Sequence, residues 1–567
     1  MLQLALTIII FLIIVIPVGR YMYHIATWKH TFGDPVFDRI DGLIYKAGGV
    51  DPHRGMNWRQ YALALLGANA VMIAIGYLIL RIQSIGIFNP NHIGGMEPSL
   101  AFNTIISFMT NTNLQHYSGE SGLSYLSQML VITFMMFVSA ASGYAACVAF
   151  IRGLAGKTKD NVGNFFSDLV RITTRVLLPF SLVGGLLLVW QGVPQNFSGN
   201  IVVETLEGTF QVLATGPVAA LEIIKHLGTN GGGFFGVNSA HPYENPSAFT
   251  NIIEMTSLLL IPAACCFTFG IGVRNTKQGR AIFAAMLILL VVFTGTIAVN
   301  EHAGTPQLAD GGAVNIEMTG GQAGGNMEGK ESRFGIATSS TWSAYTTAAS
   351  NGSVNSMHDS YTPLGGFVQM LQMALGEVVF GGVGCGLYGM IGFAILTVFI
   401  AGLMVGRTPE FLGKKIEPGE MRWAVVLCLA TPFAILVCSA IACMVPGLAD
   451  QLNNGGAHGF SEVLYAFISC GGNNGSAFAG MNCNIPWINV MLGLEMLFAR
   501  FVPIVGTLAI AGSLAKKGKV AESAGTLSTT NGMFVFLLVF IVLLIGALSF
   551  FPALALGPVA EFFQMIA

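Results

Sequence analysis

The sequence has little charge. Asp, Glu, Lys and Arg make up only 10% of the 567 residues, whereas an ordinary soluble domain carries about 25%. Hydrophobic residues make up 53% of the chain. This composition excludes an ordinary soluble protein and indicates an integral membrane protein. The few basic residues are dispersed rather than clustered, so nucleic-acid binding is not indicated either.

Several catalytic and metal-binding motifs are also missing. The nine cysteines include no CxxC pair and the ten histidines no HExxH motif, so the spacing does not predict a metal site. The chain has neither a GxxxxGK[ST] phosphate-binding loop nor an Asp-Lys-Thr-Gly phosphorylation motif. We therefore expect no ATP site on this chain.

Ten segments are apolar over roughly the 20 residues that a membrane span needs. No basic residue precedes the first of them, which favours an uncleaved span over a signal peptide. We therefore predict an all-α polytopic membrane protein with ten transmembrane helices. The predicted spans are 3–22, 60–82, 125–150, 172–192, 251–273, 281–300, 376–405, 422–445, 487–513 and 531–553.

The positions of Lys and Arg support this number of spans. Of the 26 such residues, 21 fall in the loops that follow the first, third, fifth, seventh and ninth spans or at the span ends next to those loops. By the positive-inside rule those loops are cytoplasmic. Both termini are therefore predicted to lie outside.

Four connections on the predicted outer side share one pattern, a short semi-apolar stretch followed by a polar turn of Asn and Gly. When the turns are aligned, their asparagines are 117, 121 and 123 residues apart, and such a near-constant period indicates repeated units. The four segments are 104–119, 220–236, 343–356 and 463–480, and the aligned pairs are Thr112-Asn113, Thr229-Asn230, Ser350-Asn351 and Asn473-Asn474.

Each segment is too short to cross a membrane, so we predict that it enters as a half-helix, turns and returns as extended chain. Four of them around a pseudo-fourfold axis would direct backbone carbonyls at one centre, as cation filters do. The turns contain no ring of carboxylates, the usual ligands of Ca²⁺ and Mg²⁺, which favours a monovalent cation. We expect the asparagines to bond neighbouring segments, and hydroxyl oxygens from Thr112, Thr229 and Ser350 to add ligands.

The candidate filter residues are Asn111, Thr112, Asn113, Thr229, Asn230, Gly231, Gly232, Ser350, Asn351, Gly352, Asn473, Asn474 and Gly475, with Gln115, Cys470 and Gly471 next to them. Four span–pore-loop–span repeats account for eight spans, which leaves one flanking helix at each end. The predicted division is 1–59 for the first span and a cytoplasmic loop, 60–151, 172–274, 281–405 and 422–515 for the four repeats, and 530–567 for the last span.

Longer motifs carry a resemblance to a known family. They are "TNTNLQHYSGE", "TNGGGFFGVNSAHPYENP", "NMEGKESRFG", "LGEVVFGGVGCGLYGM" and "NNGSAFAG". In these the chain resembles the potassium-binding, channel-like A subunit of the Kdp potassium-transporting ATPase, over essentially its whole length. The resemblance implies that the chain selects K⁺ from outside and translocates it as part of an ATP-driven high-affinity uptake pump. The family's filter glycine maps onto Gly231.

The resemblance also implies partners and a location. ATP hydrolysis is expected on a P-type ATPase B subunit, accompanied by a single-span C subunit and a small F peptide, in the cytoplasmic (inner) membrane of a prokaryote. A stand-alone K⁺ channel or a Trk-type potassium transporter is the alternative. A membrane enzyme such as a transferase is a third possibility, for which the sequence offers few catalytic groups.

Two features of the spans have more than one interpretation. Arg500 lies inside the ninth predicted span, where a charge costs a few kcal/mol unless it is paired. It is either an electrostatic gate below the filter or part of a structural ion pair, and with Glu377 it is a candidate for gating or coupling. The many glycines of the seventh predicted span either permit close helix packing or form a kink or loop beneath the pore.

Overall fold

The computed structural model describes residues 2–85, 87–156, 160–307, 315–320, 322–404, 406, 408–520 and 527–567. Three of the basic loop residues that support the predicted topology, Lys157, Lys159 and Arg407, lie outside the described residues. Within the described part the chain is mainly helical. Its strands form two short antiparallel hairpins, β1 (Ile201–Glu204) with β2 (Phe210–Leu213) and β3 (Glu410–Phe411) with β4 (Lys414–Lys415).

Ten helices in the described ranges are long and apolar enough to cross a membrane, which confirms the predicted number of spans. In chain order the helices are α1 (Leu2–Ala26), α2 (Asp34–Gly48), α3 (Trp58–Ile82), α4 (Pro98–Met109), α5 (Tyr125–Ala155), α6 (Phe165–Trp190), α7 (Val218–Leu227), α8 (Ala248–Gly272), α9 (Thr276–Ala303), α10 (Gly335–Ala348), α11 (Pro363–Ala374), α12 (Cys385–Met404), α13 (Pro418–Cys443), α14 (Gly456–Gly471), α15 (Pro486–Ala515), α16 (Gly532–Leu554) and α17 (Ala560–Ile566).

Local sequence explains several helix starts. Proline begins α4, α11, α13 and α15, where its missing N–H would have no helical partner in any case. At the start of α3, the side chain of Asn57 accepts a hydrogen bond from the N–H of Gln60 (3.0 Å), and the Gln60 side chain accepts one from the N–H of Asn57 (3.1 Å). This capping box satisfies two backbone donors that the helix leaves free.

Four helices, α4, α7, α10 and α14, are too short to cross and are buried inside the protein. We call them the re-entrant helices. Each lies in the chain between two spans, so the repeats read α3–α4–α5, α6–α7–α8, α9–α10–α12 and α13–α14–α15. The third, α10, has a weakly apolar sequence, but Trp342 is fully buried and its indole N–H donates to the carbonyl of Ser353 (2.9 Å). Packing against the following turn therefore supports this helix.

The seventh span is interrupted, unlike the continuous segment 376–405 that hydropathy predicts. Residues 375–384 form a non-helical loop between α11 and α12, which we call the α11–α12 loop. Gly376, Gly381 and Gly384 have φ values of 80°, 60° and 82°, a conformation that glycine adopts without steric cost. The loop interpretation of these glycines is therefore correct for this stretch, and helical packing does not account for it.

The two flanking helices pack on different repeats. Helix α1 lies along α8 of the second repeat, and α16 contacts α9 and α12 of the third. Close approach between α1 and α8 depends on Gly19, because a Cβ there would lie 2.8 Å from the carbonyl oxygen of Ala264. A small residue at a crossing lets two membrane helices come into backbone contact.

The described part of the long loop after α9 is anchored by a buried ion pair. Lys330 Nζ lies 2.7 Å from Glu301 Oε2 with both side chains fully buried, and 4.1 Å from the ring centroid of Tyr361. Glu301 also accepts a hydrogen bond from the N–H of Thr362 (2.8 Å). These contacts hold the loop against the chain that follows the third re-entrant helix.

A second charged cluster joins the C-terminal helix to the fourth repeat. His458 of α14 lies with one ring nitrogen 2.8 Å from Glu561 and the other 2.9 Å from Asp359. Both partners are carboxylates, so both ring nitrogens donate and the imidazole is protonated. Hydrogen bonds to Asp359 and Glu561 raise the pKa of His458 to about 10.

We expect this cluster to give the protein a pH-dependent stability. Because the pKa of His458 is raised above the ordinary value of about 6.5, its stabilising effect is complete below that value and is lost as the pH rises through about 10. His458→Gln should remove this dependence, measured as the melting temperature in detergent between pH 7 and pH 10. The matched control is His92→Gln, since His92 is exposed. Equal pH profiles for wild type and His458→Gln would contradict the assignment.

Candidate functional site

The four re-entrant helices end in the same local geometry. One residue after each helix cap, the backbone turns into the left-handed region, and the next residue donates its N–H to the carbonyl five positions earlier. The left-handed residues are Asn111 (φ 68°), Thr229 (47°), Ser350 (48°) and Asn473 (50°). The hydrogen bonds that follow are Thr112 to Ser107 (3.0 Å), Asn230 to Lys225 (2.9 Å), Asn351 to Thr346 (3.0 Å) and Asn474 to Ser469 (2.8 Å).

This shared geometry corrects the sequence alignment of the first repeat by one residue. The structural equivalent of Thr229 is Asn111, not Thr112. The stretch "TNTN" contains two Thr-Asn pairs, and matching by residue identity selects the second pair. The end of α4 instead aligns Asn111 with Thr229. Thr112 is therefore equivalent to Asn230, and Asn113 to Gly231. We call the extended residues 111–114, 229–232, 350–353 and 473–476 the filter segments.

The filter segments form a closed ring. A Cβ on Gly231 would lie 2.5 Å from the backbone of Gly352, and a Cβ on Gly352 would lie 2.5 Å from the backbone of Gly475. A Cβ on Gly475 would overlap the carbonyl oxygen of Thr112, and one on Gly232 would lie 3.0 Å from the carbonyl oxygen of Asn113. The backbones of the four segments thus meet in the order second, third, fourth, first and back to second.

Asparagine side chains join neighbouring repeats, as expected. Asn111 donates to the carbonyl of Thr229 (2.8 Å), and Asn230 donates back to the side chain of Asn111 (2.7 Å). Asn351 donates to the carbonyl of Lys225 (2.9 Å). The amide of Asn474 donates in the same way to Thr346 (2.8 Å). These amides therefore bind protein groups, which leaves the backbone carbonyls of the segments as the available ligands.

Two of the hydroxyl groups expected at the centre are already in use. Thr112 donates to the side chain of Asn473 (3.2 Å). Thr229 donates to the carbonyl of Gly228 (2.8 Å) and accepts from the N–H of Val383 (2.9 Å). These bonds connect Thr112 to the fourth segment and Thr229 to its own helix end and to the α11–α12 loop, and a ligand role for the hydroxyl oxygens stays a prediction.

The three residues predicted next to the filter lie at different levels. Gln115 bridges the first and second repeats, since its side chain accepts from the N–H of Gly233 (2.8 Å) and donates to its carbonyl (3.0 Å). Cys470 and Gly471 belong to the last turn of α14. The fourth filter segment begins only at Asn473, its left-handed residue, which identifies Gly475 as the equivalent of Gly231.

Arg500 forms a buried ion pair with Glu377. Its Nη1 lies 3.0 Å from Glu377 Oε1 and 2.8 Å from the Sγ of Cys385, and its side chain is 3% exposed. A Cβ on Gly143 of α5 would lie 2.8 Å from Arg500 Nη2. The ion pair therefore joins α15 to the α11–α12 loop, in contact with α5.

The α11–α12 loop also contacts the ring directly. Besides the bond from Val383 to Thr229, the N–H of Gly381 donates to the carbonyl of Ala348 at the end of α10 (3.0 Å). Sequence reasoning missed Gly143, Val383 and Cys385. The dense small residues of "LGEVVFGGVGCGLYGM" are the signal that could have indicated a compact loop here.

A cavity of about 190 Å³ with both apolar and polar walls opens beside the first and fourth segments. Gln115, His116, Glu462, Ser476 and Asn482 are among the residues that line it. A hydrated cation could approach the ring through such a space, because carboxylate and amide oxygens favour it.

The amino-acid sequence of this chain is similar to known proteins over almost its whole length. A family model described as "Potassium-transporting ATPase A subunit" matches residues 5–563. The "Potassium-transporting ATPase potassium-binding subunit" of Clostridium botulinum (strain Alaska E43 / Type E3) is 57% identical, over 100% of this chain and 99% of that protein. The protein of that name in Desulfovibrio desulfuricans is 52% identical, over 97% and 96%.

The fold also resembles a solved structure. The crystal structure of the potassium transporter TrkH from Vibrio parahaemolyticus matches with a TM-score of 0.52, covering 79% of this chain and 84% of that one. At 14% sequence identity, this match shows a shared fold and nothing finer.

We expect Gly475→Ala to open the ring. A Cβ at Gly475 meets the Thr112 carbonyl, and its φ of 86° is unfavourable for alanine, so the melting temperature in detergent should fall. Gly295→Ala is the matched control: Gly295 lies in α9 with open space around its Cα, and alanine there should be neutral or stabilising. Equal melting temperatures for the two variants would contradict the close approach of the segments.

Proposed function

The chain belongs to the family of potassium-transporting ATPase A subunits, and we propose that it binds K⁺ selectively and translocates it as the ion-selecting subunit of an ATP-driven high-affinity uptake pump. The observation that carries this proposal is the closed ring of four filter segments. The side chains of its asparagines and of its two threonines bond to other protein groups. Backbone carbonyls are therefore left to replace the water around an ion.

The ring suits a monovalent ion. Carbonyl oxygens carry partial charges, whereas the hard divalent ions usually take carboxylates. The filter segments contain no carboxylate. Each re-entrant helix also directs its C-terminal end towards the turn, and that end carries a partial negative charge. Together these groups favour a cation that sheds its water readily, and K⁺ fits this description.

The energy for transport comes from a partner in this proposal. With neither of the two common ATP-binding motifs in its sequence, the chain serves as the ion-selecting partner of a P-type ATPase B subunit. A single-span C subunit and a small F peptide complete the complex in the cytoplasmic membrane of a prokaryote. The distribution of Lys and Arg supports an orientation with both termini outside.

Arg500 and Glu377 act below the ring in this proposal. A buried guanidinium in the ion's path repels K⁺, and Glu377 offsets part of its charge. Because the α11–α12 loop bonds to the ring through Val383 and Gly381, a movement of the loop would change both the barrier and the ring. The pair therefore opposes free leakage and couples ion release to the pump.

A stand-alone channel or a Trk-type transporter is the second candidate. Its support is the shared fold with TrkH. Co-purification of a P-type ATPase subunit, with Rb⁺ uptake that ATP stimulates and vanadate blocks, would distinguish the pump from this alternative. Uptake that is unaffected by ATP and vanadate would favour the second candidate instead.

Gly231→Ser tests the filter. A side chain at Gly231 meets the backbone of Gly352, so discrimination of K⁺ and Rb⁺ against Na⁺ should weaken by roughly tenfold or more, the equivalent of about 1.4 kcal/mol. The measurement is competition against ⁸⁶Rb⁺ binding to the purified complex. Gly67→Ser, at a position with open space around it in α3, is the control. An unchanged ion preference would contradict the filter assignment.

Arg500→Gln tests the barrier below the ring. Loss of the fixed charge should raise passive Rb⁺ leakage in proteoliposomes, or leave ATP hydrolysis running without uptake. Glu377→Gln should lower the passive Rb⁺ leakage, because it leaves the guanidinium of Arg500 uncompensated. If both variants keep wild-type leakage and coupling, the ion pair has a structural role only.

A further inference from the structure

Five ionisable side chains are fully buried behind the second and third filter segments. Glu222, Lys225 and His226 belong to α7, Glu244 lies in the chain that follows the second filter segment, and Glu254 lies in α8. The proposed function gives them no role. In a group of three acids, one lysine and one histidine without water, each charge is costly unless it is paired or hydrogen-bonded.

The ammonium group of Lys225 forms ion pairs with two of the three acids. Its ammonium lies 2.6 Å from Glu222 and 2.8 Å from Glu244, and it also donates to Asn238 (2.8 Å) and Ser239 (2.9 Å). Glu222 and Glu244 are therefore held as carboxylates. These three groups together keep one negative charge.

His226 is placed as a neutral imidazole. Its Nδ1 lies 2.8 Å from the carbonyl oxygen of Glu222, which can only accept, so Nδ1 carries the hydrogen. Its Nε2 lies 2.9 Å from the hydroxyl of Ser353, which can donate to it. A second positive charge on His226 would also be opposed by the ammonium of Lys225, the adjacent residue.

Glu254 is left without a compensating group. Neither of its carboxyl oxygens has a hydrogen-bond donor within the described part of the chain, and Nε2 of His226 is 3.8 Å away, too far for a hydrogen bond. Carboxyl oxygens of Glu222 and Glu254 and a ring nitrogen of His226 lie within 4.8 Å of one another. An ionised Glu254 would raise the buried charge to minus two with no donor to stabilise it.

We propose that Glu254 is a neutral carboxylic acid whose proton is shared with the carboxylate of Glu222, and that this pair positions the second and third filter segments for K⁺. The inference rests on the proposed function of the ring. One proton gives Glu254 a partner and reduces the net charge of the cluster to minus one. That remaining charge lies behind the carbonyls, where it favours a cation in the ring.

The cluster reaches the filter through single hydrogen bonds. Ser353, which follows Gly352 in the third segment, contacts both His226 (2.9 Å) and Ser239 (3.0 Å). Ser239 in turn donates to Glu222 (2.6 Å). On the other side, the carbonyl of Lys225 accepts from the amide of Asn351. A change in the Glu222–Glu254 pair would therefore move the third segment relative to the second.

Two substitutions at Glu254 separate a neutral acid from a charged one. Glu254→Gln keeps size, neutrality and a donor, so ⁸⁶Rb⁺ and K⁺ affinity and discrimination against Na⁺ should stay within about threefold of wild type. Glu254→Asp keeps the acid but shortens its reach, and K⁺ affinity should weaken roughly tenfold, as for one lost charge-assisted hydrogen bond. Both are measured on the complete purified complex. Glu207→Gln and Glu207→Asp, on the exposed β1–β2 turn, are the controls.

A spectroscopic measurement tests the proton itself. The infrared spectrum of the wild-type complex should contain a protonated carboxyl band that is missing from Glu254→Gln. This comparison of the wild type with Glu254→Gln does not depend on whether Glu254→Asp folds. The metal content of the wild-type and Glu254→Gln complexes is measured in the same preparations, because Glu222, His226 and Glu254 could also hold a divalent ion.

Several outcomes would overturn the inference. One is strong K⁺ binding by Glu254→Asp together with loss of binding in Glu254→Gln. Two others are identical carboxyl bands in the two infrared spectra and failure of Glu254→Gln to fold. The last is one metal ion per wild-type chain that is absent from Glu254→Gln. In each case the wild-type complex still binds K⁺. A wild-type complex that binds neither K⁺ nor Rb⁺ would instead contradict the proposed function.

Discussion

A helix that ends halfway through a membrane leaves its last carbonyl groups without water to bind. Four helices of this protein end in that way, and two of them, α7 and α10, bond to the segment of the next repeat. The carbonyl of Lys225 accepts from Asn351 of the next repeat, and that of Thr346 accepts from Asn474 of the one after. Because these two helix ends are completed by the next repeat, neighbouring filter segments stabilise each other. The ring and the fold are one structure.

The same constraint explains which oxygens remain for an ion. Amide groups of asparagine and two threonine hydroxyls are used to join the repeats, and the left-handed residue at each helix end turns the following carbonyls out of the helix direction. Glycine at positions 231, 352 and 475 lets the backbones approach to contact distance. In the proposed filter, selectivity by carbonyl groups follows from how the helix ends are satisfied and requires no charged residue in the ring itself.

Hydropathy and repeat spacing were enough to predict the ten spans and the four short helices, because both depend on local sequence. The register of the first repeat was wrong by one residue, since "TNTN" offers two equivalent matches and only the end of α4 decides between them. The contact between Arg500 and Glu377 joins residues 123 positions apart, which no local pattern reveals. The cluster around Lys225 was missed for the same reason: Glu244 and Glu254 reach it from outside its helix.

Because the ring is made by one polypeptide, each quarter can differ from the others. Among the described residues, only the third quarter has an interrupted span, only the second has a lysine buried between two acids, and the pair of Arg500 and Glu377 occurs once. A channel assembled from four identical subunits would repeat such an arginine and its paired glutamate four times around its axis. Covalent linkage of the quarters therefore lets one ion pair and one interrupted span occur a single time in an otherwise fourfold arrangement.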